Sequence, residues 1–363
     1  MPYRPDYLRL NRFYRYIVRV FDFSTTVKAM TDSRLNPKVP IAIIFRAFFL
    51  CLLLRFGSKR SITKESKGHQ MRKFLRSSVS FCDNTVGHGL EHIGIAPLEE
   101  ELTRAPKQLK RNKAFRDTIG GLHIVALDGT ETFRSTAIHC NECLGYRVKT
   151  KKGHITHYVH RVVSAQMVGT QLKPVLACEK ILPKDACQKN DKVTGHEGEL
   201  TAAKRLVEKV LHLYGVRFVD VFTTDALYMN QPFVIYLDDR GKHLIARVKD
   251  ERTVLYQEIL ALATFIKPIC GEDKNGHRRY EIYEIDDLEQ SLGWSIPLRG
   301  FLVIERTRHV KNKRITWTEE RFLCATTLKK WQASANVVRK IVHAKWGIEN
   351  SRQAKPFCLD FGT

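Results

Sequence analysis

Three carboxylates in this sequence stand where they could act together on one substrate. Asp128 follows the apolar run "LHIVAL", Asp225 follows "VFTT", and Glu349 lies in the helix-like segment "KWGIEN". Two aspartates at strand ends and a glutamate on a helix can meet at one edge of a sheet, where their hard oxygen atoms suit Mg²⁺ or Mn²⁺. Two such ions about 3.5–4 Å apart activate a nucleophile and stabilise the leaving oxygen in phosphoryl transfer. A two-metal site is thus one interpretation of the pattern, and spacing alone does not establish it. Three unrelated acids are the alternative, because Asp often follows a strand in turns such as "DGT".

A second group of residues has the types that bind zinc. Cys140 and Cys143 form a C-x2-C pair, and His157 and His160 follow on a strand-like segment. Two cysteines are half of a zinc site, and two histidines could complete it. If that segment is a strand, however, the two histidines face opposite sides. A site of two cysteines and one histidine, or two reduced thiols in a loop, therefore remain alternatives.

Charge indicates the class of partner. The chain of 363 residues has 61 Lys and Arg against 38 Asp and Glu, a formal net charge of +23. Such an excess favours a polyanion, with nucleic acid as the first candidate and an anionic membrane surface as the second. The longest apolar stretch, residues 41–54, is interrupted by Arg46 and is shorter than the roughly 18–20 residues of a spanning helix, so it predicts a buried helix. The N-terminus lacks a signal-peptide pattern and most of the nine cysteines are scattered, which favours the cytoplasm.

The elements that must position these residues follow from the hydrophobic pattern. It divides the chain into four parts: residues 1–115, 116–250, 251–325 and 326–363. The first part predicts mainly helices, and its many basic residues indicate either DNA binding or a solvated helical surface. The second predicts strands around a helix, and thus a mixed sheet with flanking helices. Acids at the start of that helix, Glu199 among them, are explained by the helix dipole alone. The third predicts a β-rich insertion or an extension of the sheet, and the last a helix.

The acidic segments together resemble a known family. "IVALDGTE", "FTTDALYMNQPFV" and "KWGIENSRQAK" are similar to the three acidic blocks of DDE-type insertion-sequence transposases. The third block resembles the family's Y-x2-R-x3-E signature, with Val342 and Lys345 at the tyrosine and arginine positions and Glu349 at the glutamate. Lys355 follows six residues later. The resemblance extends from about residue 80 to 356.

The resemblance implies a ribonuclease H-like catalytic domain with a β-rich insertion between the second aspartate and the glutamate. It implies metal-dependent hydrolysis at transposon ends, followed by strand transfer from the freed 3′-hydroxyl. Asp128, Asp225 and Glu349 would be the ligands of two Mg²⁺ or Mn²⁺ ions. The implied partners are transposon-end DNA, target DNA and a second copy of the chain in the DNA complex. The expected contacts to DNA are Lys345, Arg352 and Lys355.

The C-terminal end of the chain adds alternatives. The chain ends 14 residues after Glu349, whereas the family usually continues with further helix, so the last catalytic segment is expected to be cut short. One alternative function is therefore a catalytically inactive DNA-binding relic of the same fold. Another is a zinc-stabilised nucleic-acid-binding module whose acids are structural.

Overall fold

The computed structural model describes residues 7–54, 58–151, 153–183, 196–273, 276–311 and 314–353. Of residues 7, 311, 314 and 347–353 it describes the backbone only. The chain forms two compact units, an N-terminal one that extends to Leu109 and a second one over Lys110–Asn350.

The N-terminal unit is helical. Its core consists of apolar side chains around one helix, residues 41–53, which is apolar on most of its faces and therefore lies inside the unit. No helix among the described residues is both long enough and apolar enough to cross a membrane. The helices are α1 (Tyr7–Phe21), α2 (Phe23–Lys28), α3 (Ile41–Leu53), α4 (Lys59–Ser66), α5 (His69–Leu75), α6 (Asp83–Glu91) and α7 (Ala96–Arg111).

The second unit is built on one large mixed sheet. Its strands are β1 (Ile124–Ser135), β2 (Leu144–Thr150), β3 (Gly153–Val168), β4 (Val175–Lys180), β5 (Val221–Thr224), β6 (His243–Val248), β7 (Ile269–Glu272), β8 (Arg278–Ile285), β9 (Arg299–Lys311) and β10 (Arg314–Thr326). They lie in the order β2-β3-β1-β5-β6-β10-β9-β8-β7. The remaining strand, β4, pairs with a later part of β3 than β2 does. β1 is antiparallel to β3 and parallel to β5, and β5 is parallel to β6.

Helices flank this sheet. They are α8 (Glu199–Tyr214), α9 (Gln231–Asp238), α10 (Val254–Ala263), α11 (Leu288–Leu292) and α12 (Ala335–Gln353). α8 contacts β3 and β4, and its apolar stripe is buried. α12 packs on the sheet through Val338, Ile341 and Val342, a helical i, i+3, i+4 spacing. The mixed α/β sheet with flanking helices and the mainly helical N-terminal region confirm the predicted fold class.

The β-rich segment continues the central sheet. β10 is antiparallel to β6, and β9, β8 and β7 follow outward as an antiparallel meander. Of the two forms that the sequence left open, the structure shows the extension of the sheet. The segment also contains α10 and α11, which the β-like runs did not predict.

One predicted boundary is wrong. The sequence placed Asp128 at the end of a strand, but β1 continues to Ser135 and Asp128 pairs across to Ser164. The cause is the length of β3, which offers hydrogen-bonding partners to β1 along its full length. β1 therefore crosses the "DGT" tripeptide in an extended conformation, and Asp128 lies inside the strand.

Candidate active site

Parallel pairing of β1 with β5 brings Asp128 and Asp225 side by side. The last paired residues are Ala126 and Thr223, and each aspartate lies two residues further along its own chain. Ala126 and Val221 belong to the apolar cluster that packs with α12. Since side chains alternate between faces along extended backbone, both aspartates point to the face that α12 covers. Asp225 directly follows the end of β5, as predicted.

Lys345 on α12 links the two aspartates. Its Nζ donates a hydrogen bond to Asp225 Oδ1 at 2.6 Å and lies 3.8 Å from Asp128 Oδ1. The lysine is 3% exposed. It was expected to contact DNA phosphate, but in the structure it lies buried between the two predicted metal ligands. The reason is its position on the helix, one turn beyond Ile341 on the stripe that packs against the sheet. Two carboxylates thus converge on one cation.

A third carboxylate approaches from the other face of β1. Gly129 points away from α12, and a Cβ built on it would lie 2.6 Å from Glu199 Oε2. Glu199 Oε1 accepts a hydrogen bond of 2.7 Å from the hydroxyl of Tyr228, which is fully buried. Burial, and after it the carboxylate of Glu199, raises the pKa of Tyr228 far above its usual value, so the hydroxyl stays protonated and donates. The negative charges of Asp128 and Asp225 also raise the pKa of the Tyr228 hydroxyl.

Sequence patterns missed this third acid. Glu199 is the first residue of α8, and an acid there is satisfied by the helix dipole. A signal was nevertheless present in the glycine that follows Asp128 and in the tyrosine of "DALY". Glycine leaves room at β1 for a carboxylate from α8, and the tyrosine supplies its hydrogen bond.

The remaining predicted residues lie at or beyond the limit of the described side chains. Glu349 follows Lys345 by one turn on the backbone of α12, and Arg352 lies on the last turn of the same helix. Lys355 lies outside the described residues. Near the aspartates, Lys249 places its Nζ 4.0 Å from Asp225 Oδ1, and its side chain is 54% exposed.

The arrangement can hold a divalent ion of the hard type. Asp128 and Asp225 already direct oxygen atoms at a single positive charge, and carboxylate oxygens are the ligands that Mg²⁺ and Mn²⁺ prefer. Glu199 lies close enough to act on the same hydroxyl as the aspartates. The residues present therefore fit the metal that the sequence predicts.

We expect Gly129→Ala to destabilise the protein. The new Cβ would displace the Glu199 carboxylate and leave the buried Tyr228 hydroxyl without its acceptor, a loss of about 1–3 kcal/mol. Chemical denaturation measures the change in the free energy of unfolding. Gly198→Ala is the matched control, because Gly198 immediately precedes Glu199 and a Cβ there meets no atom within 4 Å. Equal stability of the two variants would contradict the packing of Glu199 on β1.

The cysteine–histidine cluster is separate from the acids. Cys140 and Cys143 lie in the connection between β1 and β2, and His160 lies on β3. The two Sγ atoms are 3.8 Å apart, and His160 Nε2 lies 3.3 Å from Cys140 Sγ and 3.1 Å from Cys143 Sγ.

His157, the other predicted zinc ligand, lies elsewhere. It is three residues before His160 on β3, and its ring stacks on Tyr146 with a centroid distance of 5.4 Å. The ligand atoms of Cys140, Cys143 and His160 all lie within 4.8 Å of one another, and His157 does not belong to this group. Strand alternation accounts for this separation, since residues three apart point to opposite faces.

Comparison with protein-family models and with curated proteins finds no match. Among solved structures, the NurA nuclease from Sulfolobus solfataricus is similar over 69% of this chain and 86% of its own chain, with 11% sequence identity and a TM-score of 0.24. That TM-score is too low to indicate a shared fold.

Proposed function

We propose that the protein is a DNA transposase of the DDE type, which cleaves the ends of a mobile element and joins them to target DNA. The observation that carries the proposal is the convergence of Asp128 and Asp225 on the ammonium of Lys345. Lys345 lies on α12, and Glu349 follows it by one turn on the same helix. The resemblance of all three acidic segments to this family supports the same conclusion. Two acids from adjacent strands and one from a late helix are the arrangement that the resemblance implies.

Each residue has a defined task in this proposal. Asp128 and Asp225 would hold Mg²⁺ through their carboxylate oxygens, and Glu349 would complete the ligands. Mg²⁺ supplies Lewis-acid activation of the attacking water or 3′-hydroxyl and stabilises the leaving oxygen. Tyr228 holds Glu199 in place through its hydrogen bond, so that a further carboxylate stays against β1 next to Gly129. Lys345 neutralises the aspartates by their ion pairs when no metal is bound.

Charge fits DNA as the substrate. The net charge of +23 provides long-range attraction to phosphate, whereas the acids occupy a small region close to exposed Lys249. A basic surface that attracts the polyanion and a local acidic site that binds its metal ions have complementary tasks. A second copy of the chain in the DNA complex is part of the proposal, because both element ends must be processed together.

The proposal is tested by DNA cleavage. The full chain is incubated with duplex oligonucleotides that span the two borders of the element encoding it, and products are separated on denaturing gels. We expect strand cleavage at the borders with Mg²⁺ and none with EDTA. Duplexes of scrambled border sequence serve as the control. Binding to the borders without any Mg²⁺-dependent cleavage would instead favour an inactive DNA-binding relic of the same fold.

Lys345→Met provides a test that needs no substrate. Without the ammonium, the adjacent aspartates repel each other, and we expect a loss of about 1–3 kcal/mol in EDTA, less than for a fully buried pair because Asp225 is 41% exposed. Mg²⁺ should then raise the melting temperature more in the variant than in the wild type, because no lysine has to be displaced. Lys249→Met is the control, since Lys249 is exposed and 4.0 Å from Asp225. If Mg²⁺ stabilises neither the wild type nor Lys345→Met, the acids do not form a metal site.

A further inference from the structure

We propose that Cys140, Cys143 and His160 bind a Zn²⁺ ion, independently of the acidic site. The three residues come from two places in the sheet. Both cysteines lie in the connection that joins β1 to β2, and the histidine lies on β3, which pairs with both strands. The fold thus brings together two thiols and an imidazole, ligand types that zinc prefers.

The distances between the ligand atoms match a tetrahedral zinc ion. With Zn–S bonds of about 2.3 Å and Zn–N bonds of about 2.0–2.1 Å, tetrahedral angles place two sulfurs about 3.8 Å apart and a sulfur and a nitrogen about 3.5 Å apart. The two sulfurs are 3.8 Å apart, and the sulfur–nitrogen distances are 3.3 and 3.1 Å. The nitrogen has to move outward by only a few tenths of an ångström. A shared centre for the three atoms therefore already exists.

The local backbone supports the two sulfurs. Cys143 N donates to Cys140 O at 3.1 Å, which closes the turn between the cysteines, and Cys140 N donates to Cys143 Sγ at 3.3 Å. A backbone N–H directed at sulfur stabilises a thiolate, as supporting hydrogen bonds do at metal sites generally. The turn thus holds both thiols on one side of the connection, facing His160.

The fourth position is open to the surface. The three ligands form part of the wall of a pocket whose other lining residues are Thr132, Phe133, Ile138 and His139. The ring of His139 stacks on Tyr158, with 4.4 Å between ring centroids. His139 does not belong to the group formed by Cys140, Cys143 and His160. A solvent molecule would therefore complete the tetrahedron.

The consequence for the fold is local. Asp128 lies on β1, and beyond it the strand runs on to Phe133, which pairs with His160. Zinc would tie the connection after β1 to β3 and so fix the part of the sheet that extends past the acids. The zinc site is separate from the acids to which we assign the chemistry of DNA cleavage.

Cobalt substitution tests the site. The full chain, reduced and freed of metal, is titrated with Co²⁺ and then with Zn²⁺. We expect one Co²⁺ per chain to show the thiolate charge-transfer and visible bands of tetrahedral cobalt, whatever the acidic site binds, and Zn²⁺ to displace that ion. Cys143→Ser and His160→Ala should weaken binding by more than about 100-fold, beyond the effect of losing a supporting contact. His157→Ala is the matched control and should bind as the wild type does. Equal binding by His160→Ala and His157→Ala would overturn the assignment.

A second measurement needs no variant. Cys140, Cys178 and Cys270 are all exposed, so each should react with iodoacetamide, and mass spectrometry gives the rate for each residue. Zn²⁺ should protect Cys140 at least tenfold and leave Cys178 and Cys270 unchanged, and a chelator should restore the reaction. Equal alkylation of Cys140 with and without Zn²⁺ would overturn the proposal, as would a Cys140–Cys143 disulfide that persists under reducing conditions.

Discussion

Asp225→Asn will lower Mg²⁺-dependent DNA cleavage by about 10²–10⁴-fold, which is the rate equivalent of losing several kcal/mol of metal-based stabilisation. Asparagine keeps the size of the side chain and can still accept the hydrogen bond from Lys345, so the fold should remain intact. What it loses is the negative charge that holds the ion. DNA binding should persist or strengthen slightly, because one acid near the phosphates is removed.

The control is a carboxylate outside the site. Asp239 is exposed at the end of α9, and Asp239→Asn should cleave DNA at the wild-type rate. Cleavage is measured on denaturing gels and binding by fluorescence anisotropy at several salt concentrations. If Asp225→Asn cleaves as fast as Asp239→Asn, Asp225 is not a metal ligand and the proposed mechanism fails.

Glu305→Ala will destabilise the protein by about 3–5 kcal/mol, because it removes the buried carboxylate nearest to the buried cation Arg339 and leaves that cation only the more distant, exposed Asp273. Glu305 lies on β9 with its side chain 2% exposed. Its Oε1 accepts hydrogen bonds of 2.7 Å from Arg339 and from His343, both on α12. The side chain of Arg339 is 3% exposed. These hydrogen bonds attach α12, the helix that also carries Lys345, to β9 of the sheet.

The effect of Glu305 should depend on pH. Burial alone would raise the pKa of Glu305, but the hydrogen bonds from His343 and Arg339 outweigh burial and hold it below its ordinary value. A carboxyl group with a lowered folded-state pKa stabilises the fold above its unfolded pKa and loses that contribution as pH falls through the folded value. The difference between wild type and Glu305→Ala should therefore be full at neutral pH and shrink in acid.

Chemical denaturation at neutral and acidic pH measures both effects. The control is Glu320→Ala, since Glu320 pairs directly across from Glu305 on β10 but its side chain is 55% exposed. We expect that change to cost less than about 1 kcal/mol. Equal losses in the two variants would show that the network does not anchor α12.

Much of the fold could be predicted from the sequence, because apolar runs indicate buried strands. The runs before Asp128 and Asp225 predicted two core strands, and both exist as β1 and β5. The end of β1 could not be predicted, because it depends on pairing with β3, some 30 residues away in the chain. Turn propensity at "DGT" is a local preference, and this long-range pairing overrides it.

The site was accessible in part for a similar reason. The sequence located both strands, and their parallel pairing sets Asp128, inside β1, beside Asp225, which follows β5. The burial of Lys345 could not be read from the sequence, since a lysine in a basic helix usually indicates an exposed contact. Likewise, alternation along β3 separated His157 from His160, but only the fold shows that His160 is the one beside the cysteines.

The binding of a divalent ion by Asp128 and Asp225 is tested most directly by anomalous diffraction from crystals of the full chain soaked in Mn²⁺. The proposal predicts an anomalous peak in contact with both carboxylates, and a Lys345 ammonium that has moved away from the 2.6 Å contact with Asp225. Saturating Mn²⁺ without a peak at the aspartates, and with Lys345 still bridging them, would contradict it.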